Sequence, residues 1–153
     1  MGNNTLTLQK KLNHFEVACR KVGLKVTHQR HEIFRELASA TDHPTAETLY
    51  RRLQKILPSL SLDTVYRTLT TFEEHTLISR VQTTESHARF EAEMHEHHHA
   101  ICTQCNKITD FQWDICDKNN LPEEIANWGH IKHKQITLKG ICTECEQARN
   151  RQS

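Results

Sequence analysis

Cys102-Thr-Gln-Cys105 and Cys142-Thr-Glu-Cys145 are two C-x-x-C pairs, and no other feature narrows the possible folds of this chain as much. Each short loop offers two thiolates from one place, so two loops supply the four ligands of a closed tetrahedral zinc site. The long interval between the pairs means that such an ion would tie the beginning of a small sheet to its end. Redox chemistry is the competing reading. It needs one reactive pair at the start of a helix in a βαβ setting, and two matched pairs fit closure better. Cys19 and Cys116 have no partners of this kind and read as packed side chains.

A chain of 153 residues makes one ordinary domain or two small ones, and small domains are marginally stable without a staple. Four Gly, three Pro and 25% charged residues suit an ordered, helix-rich protein. The net charge of +1 is unevenly spread: residues 1–90 hold 13 Lys and Arg against 9 Asp and Glu, and residues 91–153 hold 7 against 10. A mildly basic front and an acidic, Cys/His-rich back point to different partners. No apolar run approaches the roughly 20 residues of a membrane span. The opening residues lack a signal peptide's apolar core, and Leu6 breaks the myristoylation pattern after Gly2. The expected location is cytoplasmic, where thiols stay reduced and C-x-x-C pairs favour metal over disulfide.

Leu12, Phe15, Val17 and Cys19 belong to a first helical segment that ends near Gly23. Thr27-His-Gln-Arg30 opens a second, capped by Thr27, with Ile33, Phe34 and Leu37 at helical spacing. Thr45 starts a third that carries Leu49, Leu53 and Ile56 and is bounded by Pro58. In the fourth, Ser61 is the cap, and Leu62, Val65, Leu69 and Phe72 form one buried stripe. Thr64, Arg67, Thr68 and Thr71 then face outward, with Tyr66 beside them. That surface can touch phosphates and base edges in a major groove, although an ordinary amphipathic helix has a polar back too. Its place, after a shorter helix and across a turn, is that of a recognition helix. Strands over 77–82 and 88–92 around a polar turn at 83–86 add a hairpin, which completes a winged helix-turn-helix. Beyond it, 99–101, 107–113 and 130–141 read as strands, and 121–128 as a short helix with Pro122, Glu123 and Glu124 in its first turn.

His97 and His99 are two apart, so on a strand they share a face and His98 takes the other. Glu91 in the joining stretch and Asp110 on a neighbouring strand can complete a mixed nitrogen and oxygen shell. Such a shell suits Fe2+, Mn2+ or Zn2+, and carboxylates favour the harder ions. A solvated polar turn remains a fair account of His95 and His98 and a poor one of His97 and His99. A zinc deaminase would need H-x-E with P-C-x-x-C, whereas Ile101 and Ile141 stand at the proline position. A metal store would have no need of the Thr64-Val-Tyr-Arg67 helix.

Several stretches together resemble the ferric uptake regulator (Fur) superfamily of bacterial metal-dependent repressors over nearly the whole chain. They are Leu24-Lys-Val-Thr-His-Gln-Arg30, His43-Pro-Thr-Ala46, Ser61-Leu-Asp-Thr-Val-Tyr-Arg-Thr-Leu69, Arg89-Phe-Glu91, His97-His-His-Ala-Ile-Cys-x-x-Cys105, Lys107-Ile-Thr-Asp-Phe111 and Gly140-Ile-Cys-x-x-Cys145. The resemblance implies an α+β fold: an N-terminal winged helix-turn-helix domain (1–90), a hinge (91–96), and a small α/β dimerisation domain (97–153) with a four-cysteine zinc site. It also implies a homodimer, not an enzyme, that binds palindromic operators in double-stranded DNA.

Carried over by position, the regulatory Fe2+ or Mn2+ site falls on His43, Glu91, His97, His99 and Asp110, with Zn2+ a further occupant. His43 comes from the resemblance alone. Metal would then fix the angle between domains and the spacing of the two recognition helices. The DNA contacts map to Tyr66 and Arg67, beside Thr64, and to Lys25 at the minor groove. A further site present in some relatives would map to Glu96, His98, Asp117 and Lys134. Lysine is a poor ligand, which argues against that site.

Asp110 is the residue that peroxide sensors carry, where iron sensors usually have Glu. Glu91 and Tyr66-Arg67-Thr68 are more similar to the iron-sensing branch. Because Asp110 is the ligand tied to peroxide reactivity, the expected function is a peroxide-sensing repressor. In such a sensor, Fe2+ chemistry oxidises His43 or His97. An iron-responsive or zinc-responsive repressor is the alternative, and a zinc enzyme or metal store a remote one.

Overall fold

The computed structural model describes residues 2–93, 95–118 and 121–151. The chain divides into two compact units, Met1–Met94 and His95–Ser153.

The first unit is four helices and a hairpin: α1 (Gly2–Lys21), α2 (His28–Ser39), α3 (Ala46–Leu53), α4 (Leu62–Glu74), β1 (Ser79–Val81) and β2 (Arg89–Glu91). Helix α1 ends before Gly23, whose φ of +70° suits a residue without a side chain. The expected caps are in place. Thr27, Ser61 and Thr45 accept hydrogen bonds from the backbone N–H groups of Arg30, Thr64 and Thr48, each satisfying a donor the helix leaves open. The apolar stripes meet in one core. Phe15 stacks on Phe34 with ring centroids 3.9 Å apart, and Phe72 meets Phe15 edge-on at 5.1 Å. Burying each such ring is worth about 1.5–3 kcal/mol, so these three residues anchor α1, α2 and α4 together. Strands β1 and β2 pair antiparallel with Arg80 opposite Phe90, forming the expected wing, shorter than the sequence suggests.

Two expectations for this unit need correction. Ile56 lies beyond the end of α3 and is exposed, because the helix stops at Leu53 and the chain turns there, so that Leu57 and Leu60 rather than Ile56 join the core. Thr68 is buried rather than outward-facing. It stands three residues after Val65 and four before Phe72, which places it on the same helical stripe.

The second unit contains β3 (His98–Cys102), β4 (Ile108–Phe111), α5 (Asp114–Lys118), α6 (Glu123–Ala126), β5 (Thr137–Gly140) and α7 (Thr143–Arg151). The sheet order is β4-β3-β5, with β4 antiparallel and β5 parallel to β3. The last expected strand, 130–141, shrinks to Thr137–Gly140. Helices α5 and α7 go beyond the expected elements. Neither has an apolar stripe to announce it, and α7 buries no residue. Among the described residues few side chains are buried here, namely His97, His98, His99, Ile101, Cys102 and Ile108, so apolar packing alone leaves this sheet thinly supported.

Candidate metal centres and reading surface

The sheet register brings the four cysteines together. Cys102 ends β3 opposite Gly140 of the parallel strand β5, and the turn after β3 carries Cys105. Cys142 lies two residues past the end of β5, and Cys145 sits in the first turn of α7. All four sulfurs lie within 4.8 Å of one another, and those of Cys105 and Cys142 are 3.8 Å apart. A tetrahedron with metal–sulfur bonds of about 2.3 Å has edges of about 3.8 Å, so the donor set fits zinc. The backbone N–H of Cys142 donates to the sulfur of Cys102 at 3.3 Å, and this bond leads the causes that hold the Cys102 thiol down to about 6. Hydrogen bonding to Cys142 pushes Cys145 up to about 12. One sulfur is therefore readily a thiolate, and another ionises only when a cation compensates the accumulating charge.

The second histidine-rich group is also dictated by register. His99 stands opposite Asp110 and His98 opposite Phe111, and residues directly across an antiparallel pair share a face. His97, two residues before His99, lies on the His99 face: their Nε2 atoms are 3.0 Å apart. Asp110 Oδ1 is 3.5 Å from Nε2 of His99 and 3.9 Å from that of His97. The Nδ1 of His97 is 2.7 Å from the carbonyl of His95. A carbonyl only accepts, so Nδ1 carries the proton and Nε2 presents its lone pair, as a metal-binding imidazole requires. Two nitrogens each about 2.1 Å from one ion and at right angles are about 3.0 Å apart, so this face also fits a cation.

His98 is on the other face, buried, and not the solvated turn residue its neighbours suggest. Its ring contacts Phe111, and its Nδ1 accepts the backbone N–H of Ile136 at 3.2 Å. At the further candidate site, the Lys134 ammonium donates to the carbonyl of Cys116, and Glu96 lies 4.0 Å from His133. The side chain of Asp117 lies outside the described residues.

In the first unit, His43 and Glu91 form a buried pair, with Nε2 to Oε2 at 3.2 Å. Glu91 is the last residue of β2 and stands opposite Ser79. The five residues of the expected regulatory site thus comprise a pair in one unit and a trio in the other. The backbone of His43 has φ +49°, a left-handed conformation that costs a residue with a side chain roughly 1–2 kcal/mol. Residues of β2 surround this turn. Arg89 donates to the carbonyl of His43 and, at 2.7 Å, to that of Asp42. The sequence motif flags Arg89 without revealing this role, because the partner turn lies 46 positions away.

On α4, Tyr66 and Arg67 are exposed. Arg67 pairs with Asp63 at 3.0 Å, and both side chains remain largely in solvent. Thr64 is half-buried, with its hydroxyl 2.8 Å from that of Ser61. Lys25 is exposed, and its carbonyl accepts from Arg30 at 2.8 Å.

A winged helix with an exposed Tyr-Arg pair, followed by a unit with a four-sulfur cluster and a His-His-Asp face, defines a metal-binding winged-helix regulator. The ferric uptake regulator family matches residues 21–140, and the chain belongs to it as a metal-dependent regulator. It is 30% identical over 145 residues to the peroxide-responsive repressor PerR of Staphylococcus epidermidis, covering 94% of this chain and 96% of that one. Among solved structures it is similar to the Helicobacter pylori ferric uptake regulator Fur, which has three functional metal-binding sites (TM-score 0.73, 28% identity, 92% of this chain and 94% of that one). It is also similar to the ferric uptake regulator of Pseudomonas aeruginosa with manganese (TM-score 0.71, 31% identity, 84% and 97% coverage). The family consists of regulators rather than enzymes. Among the described residues, no helix is long and apolar enough to cross a membrane.

Proposed function

We propose that the chain is a homodimeric repressor that binds palindromic duplex operators when its regulatory site is filled, and that it senses peroxide through oxidation of a histidine in that site. The observation that carries this reading is the His97–His99–Asp110 face, where two imidazole nitrogens 3.0 Å apart stand beside an aspartate rather than a glutamate. Similarity to the staphylococcal PerR supports the same branch.

In this reading His43 and Glu91 from the first unit and His97, His99 and Asp110 from the second hold one Fe2+ or Mn2+, while Cys102, Cys105, Cys142 and Cys145 hold zinc. Bound Fe2+ supplies one-electron reduction of peroxide, a chemistry that Mn2+ does not share. The ligands tie the reading unit to the pairing unit, and occupancy selects the arrangement that matches the operator. His43 and His97 are the oxidation targets. Loss of either nitrogen donor removes a ligand, and grip on the operator is lost with it.

Tyr66 and Arg67 meet bases and phosphates, Thr64 lies beside them, and Lys25 reaches the minor groove. Pairing of two chains is supported by the sheet face of Ala100, Thr109 and Leu138, where β5 is exposed along its length and Leu138 is 46% exposed.

A second reading, repression in response to iron, is favoured by Glu91 and by the similarity to the two ferric uptake regulators. The two readings separate in one experiment. Operator binding is measured for protein loaded with Fe2+ or Mn2+, with and without peroxide, followed by mass measurement of the peptides containing His43 and His97. Release of the iron form alone, with oxygen added to either histidine, is the expected result. An iron form that keeps its operator and its mass would replace peroxide sensing by iron sensing.

A further inference from the structure

His43 combines two features that oppose its conformation. It has φ +49° without being glycine, and Pro44 follows it. In the left-handed region a Cβ crowds the following carbonyl, and a residue before proline is driven toward extended backbone. Without restraint the 42–44 turn favours opening, which would carry the imidazole away from its present place.

One guanidinium on the wing restrains the carbonyls of this turn directly. Arg89 donates through Nε to the carbonyl of His43 and through Nη2 to that of Asp42 at 2.7 Å, so a planar fork grips two successive carbonyls. Nη1 donates to Glu85 at 2.9 Å, which fixes the guanidinium to the wing turn. The Arg89 side chain is 15% exposed, so water competes little for these bonds. The next two residues of β2 act on the same turn. The backbone N–H of Phe90 donates to the carbonyl of Pro44 at 3.1 Å, and Glu91 lies 3.2 Å from the His43 ring. From the other side, Arg52 of α3 grips the Asp42 carboxylate at 2.5 and 3.2 Å.

The geometry points to Arg89 as a positioning residue that holds the His43 imidazole ready to bind the regulatory metal, an inference that rests on the reading of His43 as a ligand. Arg89 touches no metal itself. It acts by keeping closed a turn whose open form presents no nitrogen in the required place. Lysine carries a single compact charge and cannot bridge both carbonyls in one plane, so it restores only part of the effect.

The test uses the full chain with zinc in the cysteine site and titrates Mn2+ by calorimetry. His43→Ala weakens Mn2+ binding if the ligand reading holds. An unchanged affinity in that variant removes the reading and this inference together. With His43 present, Arg89→Ala weakens Mn2+ binding at least tenfold, and Arg89→Lys falls between it and the parent. Zinc content and the helical circular dichroism of both variants match the parent. In the His43→Ala background, Arg89→Ala has no further effect, which a general loosening of the fold would not produce. Parental Mn2+ affinity in the Arg89 variants overturns the inference, as does an equal loss with and without His43. Should Arg89→Ala fail to fold, Arg89→Lys carries the same comparison.

Discussion

The phenol of Tyr66 on α4 donates a hydrogen bond to a carboxylate oxygen of Glu47 in the first turn of α3. Tyr66 is 41% exposed, yet this bond gives it a fixed direction. The two helices of the helix-turn-helix are therefore joined on their polar surface as well as through Leu49, Val65 and Leu69 in the core.

That bond has a titration signature. The phenol stabilises the charged carboxylate, so Glu47 is held below its ordinary value and Tyr66 is held above its own. A depressed carboxyl contributes stability above its unfolded value of about 4.3 and loses it as pH falls through the folded value. A raised phenol contributes below its unfolded value of about 10 and loses it as pH rises through the folded one. In Tyr66→Phe the Glu47 carboxyl, followed by carbon NMR, moves upward toward the ordinary range. A Glu47 titration that does not move would mean that the two side chains do not meet in solution.

Arg67 makes a different kind of pair. Its bond to Asp63 joins two side chains that are 81% and 70% exposed, and such contacts add little to stability. The guanidinium is consequently available to a phosphate. Arg67→Ala leaves thermal unfolding where it was and lowers the salt dependence of operator binding by about one counterion. A shift in unfolding with unchanged salt dependence would assign Arg67 to the fold instead.

Legibility in the sequence follows burial. Helices α2 and α4 have apolar stripes and capping hydroxyls, and both are legible in Thr27, Ser61 and the spacing of Ile33, Leu37, Val65 and Leu69. Helix α7 has neither a buried face nor an apolar period, so nothing after Cys145 announces it. Alternation and residue chemistry bring His97, His99 and Asp110 onto one strand face of the second unit, because the strand period is short-range. The surroundings of His43 are illegible for the opposite reason. A left-handed turn before a proline, gripped by Arg89 from 46 positions away, leaves no local pattern. Thr68 illustrates a third case, since residue type marks it as polar while helical position places it inside.

Phe72 tests the core of the first unit. It packs edge-on against both Phe15 and Phe34 at 5.1 and 6.2 Å and is fully buried. Phe72→Ala removes the ring shared by three helices and costs about 3–5 kcal/mol. Chemical denaturation of zinc-loaded protein reads the loss. A cost below about 1.5 kcal/mol, the range of volume-conserving swaps, would show that the aromatic cluster collapses easily around the gap.

The cysteine cluster makes a prediction about the second unit alone. Cys142 follows β5 and its neighbours close the sheet, while little apolar surface is buried there. Cys142→Ser removes one sulfur and the charge it would carry. Zinc content falls, and amide exchange accelerates along β3 and β5 while the helices of the first unit keep their protection. The metal site depends on thiolates, so the parent also loses zinc to a chelator more readily as pH falls. Full zinc retention in Cys142→Ser would sink the four-sulfur assignment.

Asp110 decides between the two sensing readings. Its carboxylate reaches the His97–His99 face only because His99 and Asp110 are register partners, and it is 43% exposed at the side chain. Asp110→Asn keeps the shape and removes the negative charge. Mn2+ affinity falls at least tenfold, since an amide oxygen is a weaker partner for a hard cation. Asp110→Glu keeps the charge but lengthens the arm, which shifts the carboxylate relative to both imidazoles without moving the backbone pair. Metal-dependent operator binding survives in that variant, while oxidation of His43 and His97 by peroxide in the iron form slows. Mass measurement of the two peptides after a timed peroxide exposure reads the difference. If Asp110→Glu oxidises as fast as the parent, the aspartate does not set peroxide reactivity, and the iron-responsive reading becomes the better account of this chain.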